Sequence, residues 1–326
     1  MATTNNPQTY YIMKKNTKTL DKENLTRVIG EYPAEPTNQT PGPYLLISGG
    51  VHGNEPSGVL ALQRVFKRLL KDKPILKGKI VGVAGNIVAL KKGVRLIDKD
   101  LNRVCTLENE KQLKEGKMLE FHEGSEFNEL MRIVEKLEAE KFNTEFHFMD
   151  LHTTSSNTAP YISVNRQEDS FAFAKQMPLP VVKGIEKYIP GHFDHYQTLK
   201  GHAGFTMEAG QHDDPKSVDY HEAAIWVILV KTGMLEKSAI NYDKYFKLLE
   251  GASPTNDNFE VTYRQEINED QFFRMDPGYS NFTKIDKGQR LACLDGETIV
   301  SKSKGRVFLP LYQTQGSDGF FIVKPA

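Results

Sequence analysis

The sequence predicts an α/β protein, with a mixed, mostly parallel sheet carrying helices on both faces, followed by a smaller all-β C-terminal domain. Three features predict it. Short apolar runs that stop at glycines alternate with helical patterns over the first 253 residues, as strands buried on both faces and joined by crossover helices require. Helical periodicity fades after about Pro254, where short β-rich runs between glycine turns take over. At 326 residues the chain can bury a substantial core in two units of unequal size, read here as 1–253 and 254–326.

The apolar run 44–48 ends at Gly49-Gly50 and reads as a buried strand that stops abruptly. Val59, Leu62, Val65, Phe66, Leu69 and Leu70 then recur on one helical face, which predicts a helix over 57–70. A second run, 80–84, ends at Gly85-Asn86, and a helix over 126–141 leads into a third, 146–151. Residues 161–164 and 204–208 read as further strands and 218–235 as another helix, whereas 167–199 carries no decisive pattern. In the C-terminal part, strands are expected at 259–263, 298–301, 306–309 and 320–323.

Lysine plus arginine equal aspartate plus glutamate at 42 each, so the chain offers no basic surface for nucleic acid and no polybasic membrane signal. A small, polar or locally charged substrate is expected instead. The two cysteines, Cys105 and Cys293, are too few and too far apart for a disulfide framework or a thiolate metal site, and they suit a reducing compartment. Met1 to Tyr10 lack the apolar core of a secretory signal, and no run of about 18 apolar residues occurs. The expectation is a cytoplasmic protein away from membranes; the sequence leaves a homo-oligomer open.

Ligands of open α/β sheets gather beyond the carboxyl ends of the strands, and three such ends carry related chemistry. They hold His52-Gly53-Asn54-Glu55, Asp150-Leu151-His152, and Glu208 within Met207-Glu208-Ala209-Gly210. Two histidines and one carboxylate form a recurrent catalytic zinc set that leaves a position for water. A single turn can supply His52 and Glu55, with His152 arriving from another strand. Asp150 stands two residues before His152, hence on the same side of a strand, where it can accept the spare imidazole N–H of a ligand histidine. Glu208 is the candidate general base. Alone, a His-x-x-Glu quartet is an ordinary turn and Glu208 an ordinary edge carboxylate; their convergence carries the metal reading.

Arg95, Asn102 and Arg103 lie in a loop suited to gripping a substrate carboxylate and polarising a carbonyl, unless Arg95 or Arg103 pairs internally with Asp98 or Asp100. His192, His195, His202 and His212 crowd the region around Glu208 but match no ligand spacing, and read as pocket-lining or surface residues.

Taken together, these residues resemble the succinylglutamate desuccinylase and aspartoacylase family of the zinc carboxypeptidase superfamily. Gly50-Val51-His52-Gly53-Asn54-Glu55 is similar to the family's first zinc motif, Asp100-Leu101-Asn102-Arg103 to its substrate motif and Met149-Asp150-Leu151-His152 to its second zinc motif. The resemblance implies a zinc carboxypeptidase-like catalytic domain with one zinc per chain, and metal-assisted hydrolysis of an N-acyl amino acid. It implies that Arg95, Asn102 and Arg103 handle the substrate and Glu208 is the catalytic glutamate. Two departures bear on the substrate. The arginine that aspartoacylases carry shortly before the catalytic glutamate falls here near Thr198, with Lys200 the nearest cation, and their C-terminal tyrosine falls in Gly319-Phe320-Phe321. This argues against N-acetylaspartate and leaves a succinylated or otherwise acylated amino acid open. The rival readings are a zinc carboxypeptidase or cell-wall peptide amidase using the same residues, and a catalytically silent metabolite binder.

Overall fold

The computed structural model describes residues 19–33, 40–140, 144–268, 270–312 and 317–326. Met1 to Tyr10, read above for a signal, and Lys141, the last residue of the second predicted helix, lie outside them.

The chain begins with β1 (Val28–Tyr32), β2 (Thr40–Gly49), α1 (Ser57–Asp72) and β3 (Lys77–Ala84). Short helices α2 (Ile87–Lys92), α3 (Leu101–Val104) and α4 (Leu107–Lys114) precede the long α5 (His122–Glu140). Then come β4 (Phe146–Thr154), β5 (Tyr161–Val164), α6 (Glu168–Ala174), β6 (Val181–Lys183), α7 (Phe193–Leu199), β7 (Ala203–Gln211), α8 (Lys216–Lys231) and α9 (Tyr242–Glu250). The C-terminal part holds β8 (Asn258–Glu266), β9 (Phe273–Met275), β10 (Lys284–Ile285), β11 (Arg290–Leu294), β12 (Glu297–Val300), β13 (Gly305–Phe308) and β14 (Asp318–Pro325).

One sheet runs in the order β1-β3-β2-β4-β7-β5-β6-β8-β14-β13-β10, and a second in the order β12-β11-β9. Its centre is parallel, through β3–β2, β2–β4 and β4–β7, and so are β5–β6 and β6–β8. The N-terminal edge, the β5–β7 pair and the C-terminal strands pair antiparallel. Because β8 bonds to β6, with Val182 opposite Phe259, the sheet continues without a break past residue 254. The fold class is the one expected: helices cover both faces of a mixed sheet, and a small antiparallel β region follows.

Strand alternation sorts the core into two layers. Leu45 and Ile47 of β2, Met149 and Leu151 of β4, and Phe205, Met207 and Ala209 of β7 pack with α1 and α8. Tyr44, Leu46, Phe146 and Phe148 point the other way, against Phe127, Leu130 and Val134 of α5 and Tyr196 of α7. The α1 face anticipated by periodicity is buried at Val59, Leu62, Val65, Phe66 and Leu69. Each such side chain contributes about 1.5–3 kcal/mol through burial.

Boundaries shift for local reasons. The α5 helix starts at His122 rather than Glu126 because the Asp98 carboxylate accepts the His122 N–H at 2.7 Å. Thr232 and Gly233, the latter at φ +69°, end α8 at Lys231, before the expected Leu235. Residues 167–199 resolve into α6, β6, a single 3-10 turn at Ile185–Lys187 and α7.

Candidate active site

The alternation that sorts the core also assembles the site. Phe146, Phe148, Asp150 and His152 share one face of β4, and on β7 Thr206 and Glu208 face the same way, opposite the Phe205-Met207-Ala209 set. In the parallel β4–β7 pair, His152 stands directly across from Glu208, and Tyr161 of β5 flanks Glu208 on its other side.

His52 and Glu55 come from the turn that follows β2. This turn is packed against the start of α2 so closely that a Cβ on Gly53 would lie 2.0 Å from the Ala89 carbonyl carbon. Gly50 begins it at φ +70°, a conformation that favours glycine. The Gly53 N–H donates to the Arg95 carbonyl at 3.1 Å, tying the turn to the loop that carries Arg95.

Three buried groups converge. His52 Nδ1 lies 2.8 Å from Glu55 Oε1 and His152 Nδ1 lies 3.1 Å from Glu55 Oε2, and one ligand atom from each residue falls within 4.8 Å of the others. The remaining imidazole nitrogens are engaged elsewhere: His52 Nε2 by Asp100 at 3.0 Å, His152 Nε2 by Asp150 at 2.9 Å. Ser48 Oγ donates to the other oxygen of Asp150 at 2.6 Å. Carboxylates on both Nε2 atoms fix the tautomers that leave both Nδ1 lone pairs directed at a common point. Two imidazoles and a carboxylate so directed can hold a metal ion. Electrostatics agree with a site built for charge. Against the opposing effect of burial, His52 and His152 hold the Glu55 carboxyl well below its usual range, while Asp150 and Glu55 hold the His152 imidazole well above its own.

Glu208 is different. Among the described residues its Oε2 is buried without a hydrogen-bond partner, and burial, reinforced by the nearby charges of Glu55 and Asp150 against the pull of His152, pushes the carboxyl up to about 8. It faces a cavity of about 500 Å³ that the three convergent groups also line.

Arg95, Asn102 and Arg103 all reach this cavity. Arg95 also makes the internal pair considered above, with Nη2 2.8 Å from Asp100. Asn102 Oδ1 accepts the Phe193 N–H at 3.0 Å, which turns its amide nitrogen toward His152, 3.3 Å from Nε2. That nitrogen already donates to Asp150, so the amide N–H groups of Asn102 stay available to an acceptor in the cavity. His192 and His212 line the cavity, whereas His202 meets Glu138 at 3.1 Å and stacks on Phe146. Lys200 is held by Glu110 at 3.1 Å, away from the cavity.

Several organising residues escape sequence reasoning. Asp100, considered only as a partner for arginine, joins His52, Arg95 and the Asn102 N–H (2.9 Å). Although burial opposes its charge, the hydrogen bond from His52 and the positive charges of His52, Arg95 and Arg103 keep it far below the usual carboxylate range. Glu123 of α5, fully buried, accepts from Asn86 Nδ2 and from the backbone N–H groups of Ile97, Asp98 and Lys99, at 2.7 to 3.1 Å. His221 of α8 donates to the His152 carbonyl at 3.1 Å. The Thr153 N–H donates to Glu55 at 2.8 Å and its hydroxyl meets His212 Nδ1 at 2.8 Å. Only Asp100 sits in a quoted motif, Asp100-Leu101-Asn102-Arg103, which assigned it no partner of its own; for Glu123 and His221 the available signal is a polar side chain inside an otherwise apolar helical face, which needs partners.

Comparison with known proteins finds relatives over most of the chain. The succinylglutamate desuccinylase of Shewanella sp. (strain W3-18-1) is 26% identical over 286 residues, covering 80% of this chain and 76% of that protein. That of Pseudomonas putida is 23% identical over 283 residues, covering 82% and 78%. Among solved structures, succinylglutamate desuccinylase from Vibrio parahaemolyticus superposes with a TM-score of 0.62 at 16% identity, covering 90% of this chain and 85% of that one. A succinylglutamate desuccinylase/aspartoacylase from Rhodobacter sphaeroides gives 0.65 at 17% identity, covering 88% and 87%. Both share the fold described above. The model of the succinylglutamate desuccinylase/aspartoacylase catalytic domain matches residues 41–225, a stretch that runs from β2 to α8 and contains every residue of the convergent site. With more than half of its length matched in this way, the chain belongs to the succinylglutamate desuccinylase/aspartoacylase family.

Proposed function

We propose that this protein is a zinc-dependent hydrolase that cleaves the amide bond of an N-acyl amino acid, with His52, Glu55 and His152 holding one zinc ion and Glu208 acting as general base. The observation that carries the reading is the convergence of two Nδ1 atoms and one carboxylate beside Glu208, whose Oε2 is buried and unpartnered. When bound, the ion supplies Lewis acidity that lowers the pKa of a water and polarises a carbonyl.

The chain's own groups account for the rest. Arg103 takes the substrate carboxylate, assisted by Arg95, and the free amide N–H of Asn102 steadies the carbonyl oxygen as charge develops on it. Glu208 accepts a proton from the attacking water as its oxygen bonds to the acyl carbon. It returns that proton to the nitrogen as the C–N bond breaks, releasing a carboxylate and a free amine. Burial raises this carboxyl, which favours its holding the proton between the two halves of the exchange.

Leu309, Pro310 and Leu311, from the connection between β13 and β14, line the cavity together with residues of the parallel sheet. This supports a small substrate over a long peptide, and gives the β-rich part, proposed as a unit from residue 254 onward, a role in closing the site. No helix among the described residues is long and apolar enough to cross a membrane, and Cys105 and Cys293 are both free, which supports a cytoplasmic setting. The test is a pair of variants. Glu208→Gln retains one zinc per chain and loses hydrolysis of N-acyl amino acids; His152→Ala loses the metal. Turnover by the first, or a full zinc complement in the second, would overturn the assignment.

A further inference from the structure

The cavity's charge and shape restrict what it can hold. Its arginines, among the described residues, are Arg95 and Arg103. Arg95 is already matched, 2.8 Å from Asp100 and 3.8 Å from Glu55. Arg103 donates to the Asn102 carbonyl at 2.9 Å and pairs with no carboxylate among the described residues. Neither cavity histidine adds a cation, because burial holds both His192 and His212 below the usual imidazole range. The cavity also presents Asp318, itself bonded to Arg264 at 2.5 Å.

The wall beside Asp318 is apolar, formed by Ile185, Ile189, Leu309, Pro310, Leu311 and Phe321. Leu309 is held at φ +49°, a conformation unfavourable for leucine, by its N–H bond to Asn281 Oδ1 at 2.7 Å. Strain kept at a cavity wall points to a use there.

We infer that the substrate of this site carries one carboxylate, received by Arg103, and an apolar group that rests on the wall built by the β13–β14 connection. The inference rests on the hydrolase reading above and narrows it. A second or third carboxylate would meet Asp318, hydrocarbon or uncharged hydroxyls such as those of Ser155 and Ser156, with no further cation to replace its water, and transferring a charge without a charged partner is unfavourable. The apolar group belongs either to the amino acid or to the acyl chain; the surroundings fit both, and the test separates them.

The measurement is kcat/KM of the zinc-loaded enzyme for N-acetylleucine and N-hexanoylglycine against N-acetylaspartate and N-succinylglutamate. At least one of the first two should exceed both of the others by about tenfold or more, and which one wins identifies the source of the apolar group. Equal or faster cleavage of either polycarboxylate overturns the inference and leaves the hydrolase reading standing. If none of the four is cleaved, the hydrolase reading loses its support. Calorimetric binding of the same compounds to Glu208→Gln then decides the inference: tighter binding of an apolar compound supports it, and tighter polycarboxylate binding, or none by any, overturns it. Leu311→Arg, compared with the uncharged Leu311→Gln, should move the ratio of kcat/KM toward N-succinylglutamate by about tenfold. An unmoved ratio in a folded Leu311→Arg protein counts against the apolar wall as the selecting element.

Discussion

Replacing Glu123 with glutamine tests whether a carboxylate that no motif includes holds the substrate loop in place. Oε1 receives Asn86 Nδ2 at 3.0 Å and the Ile97 N–H at 2.7 Å, while Oε2 receives the N–H groups of Asp98 and Lys99 at 3.1 and 3.0 Å. Glutamine keeps one oxygen and turns an NH2 group toward the other pair of donors, so two N–H groups, part-buried in the case of Asp98 and Lys99, lose their acceptor. With solvent offsetting part of the penalty, the folded state loses about 1–3 kcal/mol, read as a lower urea midpoint at unchanged slope. The same loop carries Arg95 and leads to Asp100, so KM should rise severalfold more than kcat falls. A pH signature accompanies this. Burial opposes the charge on Glu123, but the backbone and Asn86 donors outweigh it and hold the carboxyl below its usual value of 4.5. Its contribution to stability is therefore present above about 4.5 and lost as pH falls through the lowered folded pKa, a loss the glutamine variant should lack. A variant with wild-type urea midpoint and KM would refute the positioning role.

Three further outcomes follow from the same geometry. Asp100→Asn removes the charged acceptor of His52 Nε2 and Arg95, and zinc affinity, measured by competition with a chromophoric chelator, should fall by about 10- to 100-fold. Gly53→Ala drives a methyl into the α2 backbone at Ala89; stability should fall by about 1–3 kcal/mol or more, read as a lower thermal midpoint, and zinc content should fall with it. Asp194, pushed up to about 7 by burial and by the charge of Asp150, keeps its proton in the folded state after the unfolded chain, at 3.8, has released it. Its contribution is thus complete below about pH 4 and is lost as pH rises to about 7, so Asp194→Asn should flatten this part of the stability profile and gain on wild type at pH 8.

What the sequence discloses about this fold follows from how its strands are buried. β2, β3, β4 and β7 have layers on both faces, so β2 and β3 read as near-continuous apolar runs and β4 and β7 as apolar runs interrupted at His147 and Asp150 and at Thr206 and Glu208, and the long helices α1 and α5 display a full face at helical spacing. Residues 167–199 lack such a signal because α6 and α7 are seven residues each and β6 is three, too short for a period to emerge. β1 is an antiparallel edge strand whose residues are half-buried or exposed, and it carries no apolar run either.

The candidate site divides along a similar line. Residues that must stand at the carboxyl end of a particular strand are tied to local sequence, which is why His52, Glu55, Asp150, His152 and Glu208 could be named in advance. Residues that orient them are chosen by tertiary proximity. Asp100 reaches His52 across 48 positions, Glu123 reaches the substrate loop from another helix, and His221 bonds to His152 across 69. Such a residue leaves one trace in sequence, a polar side chain where the pattern calls for an apolar one. Glu123, with no exposure on the amphipathic α5, and His221, buried in the largely apolar α8, both fit that description. A buried charge without partners would destabilise the fold, so each must be matched by donors or acceptors from elsewhere. In this chain the matched groups include the loop that carries Arg95 and the carbonyl of His152, so the residues that stabilise the core also set the geometry of the candidate site.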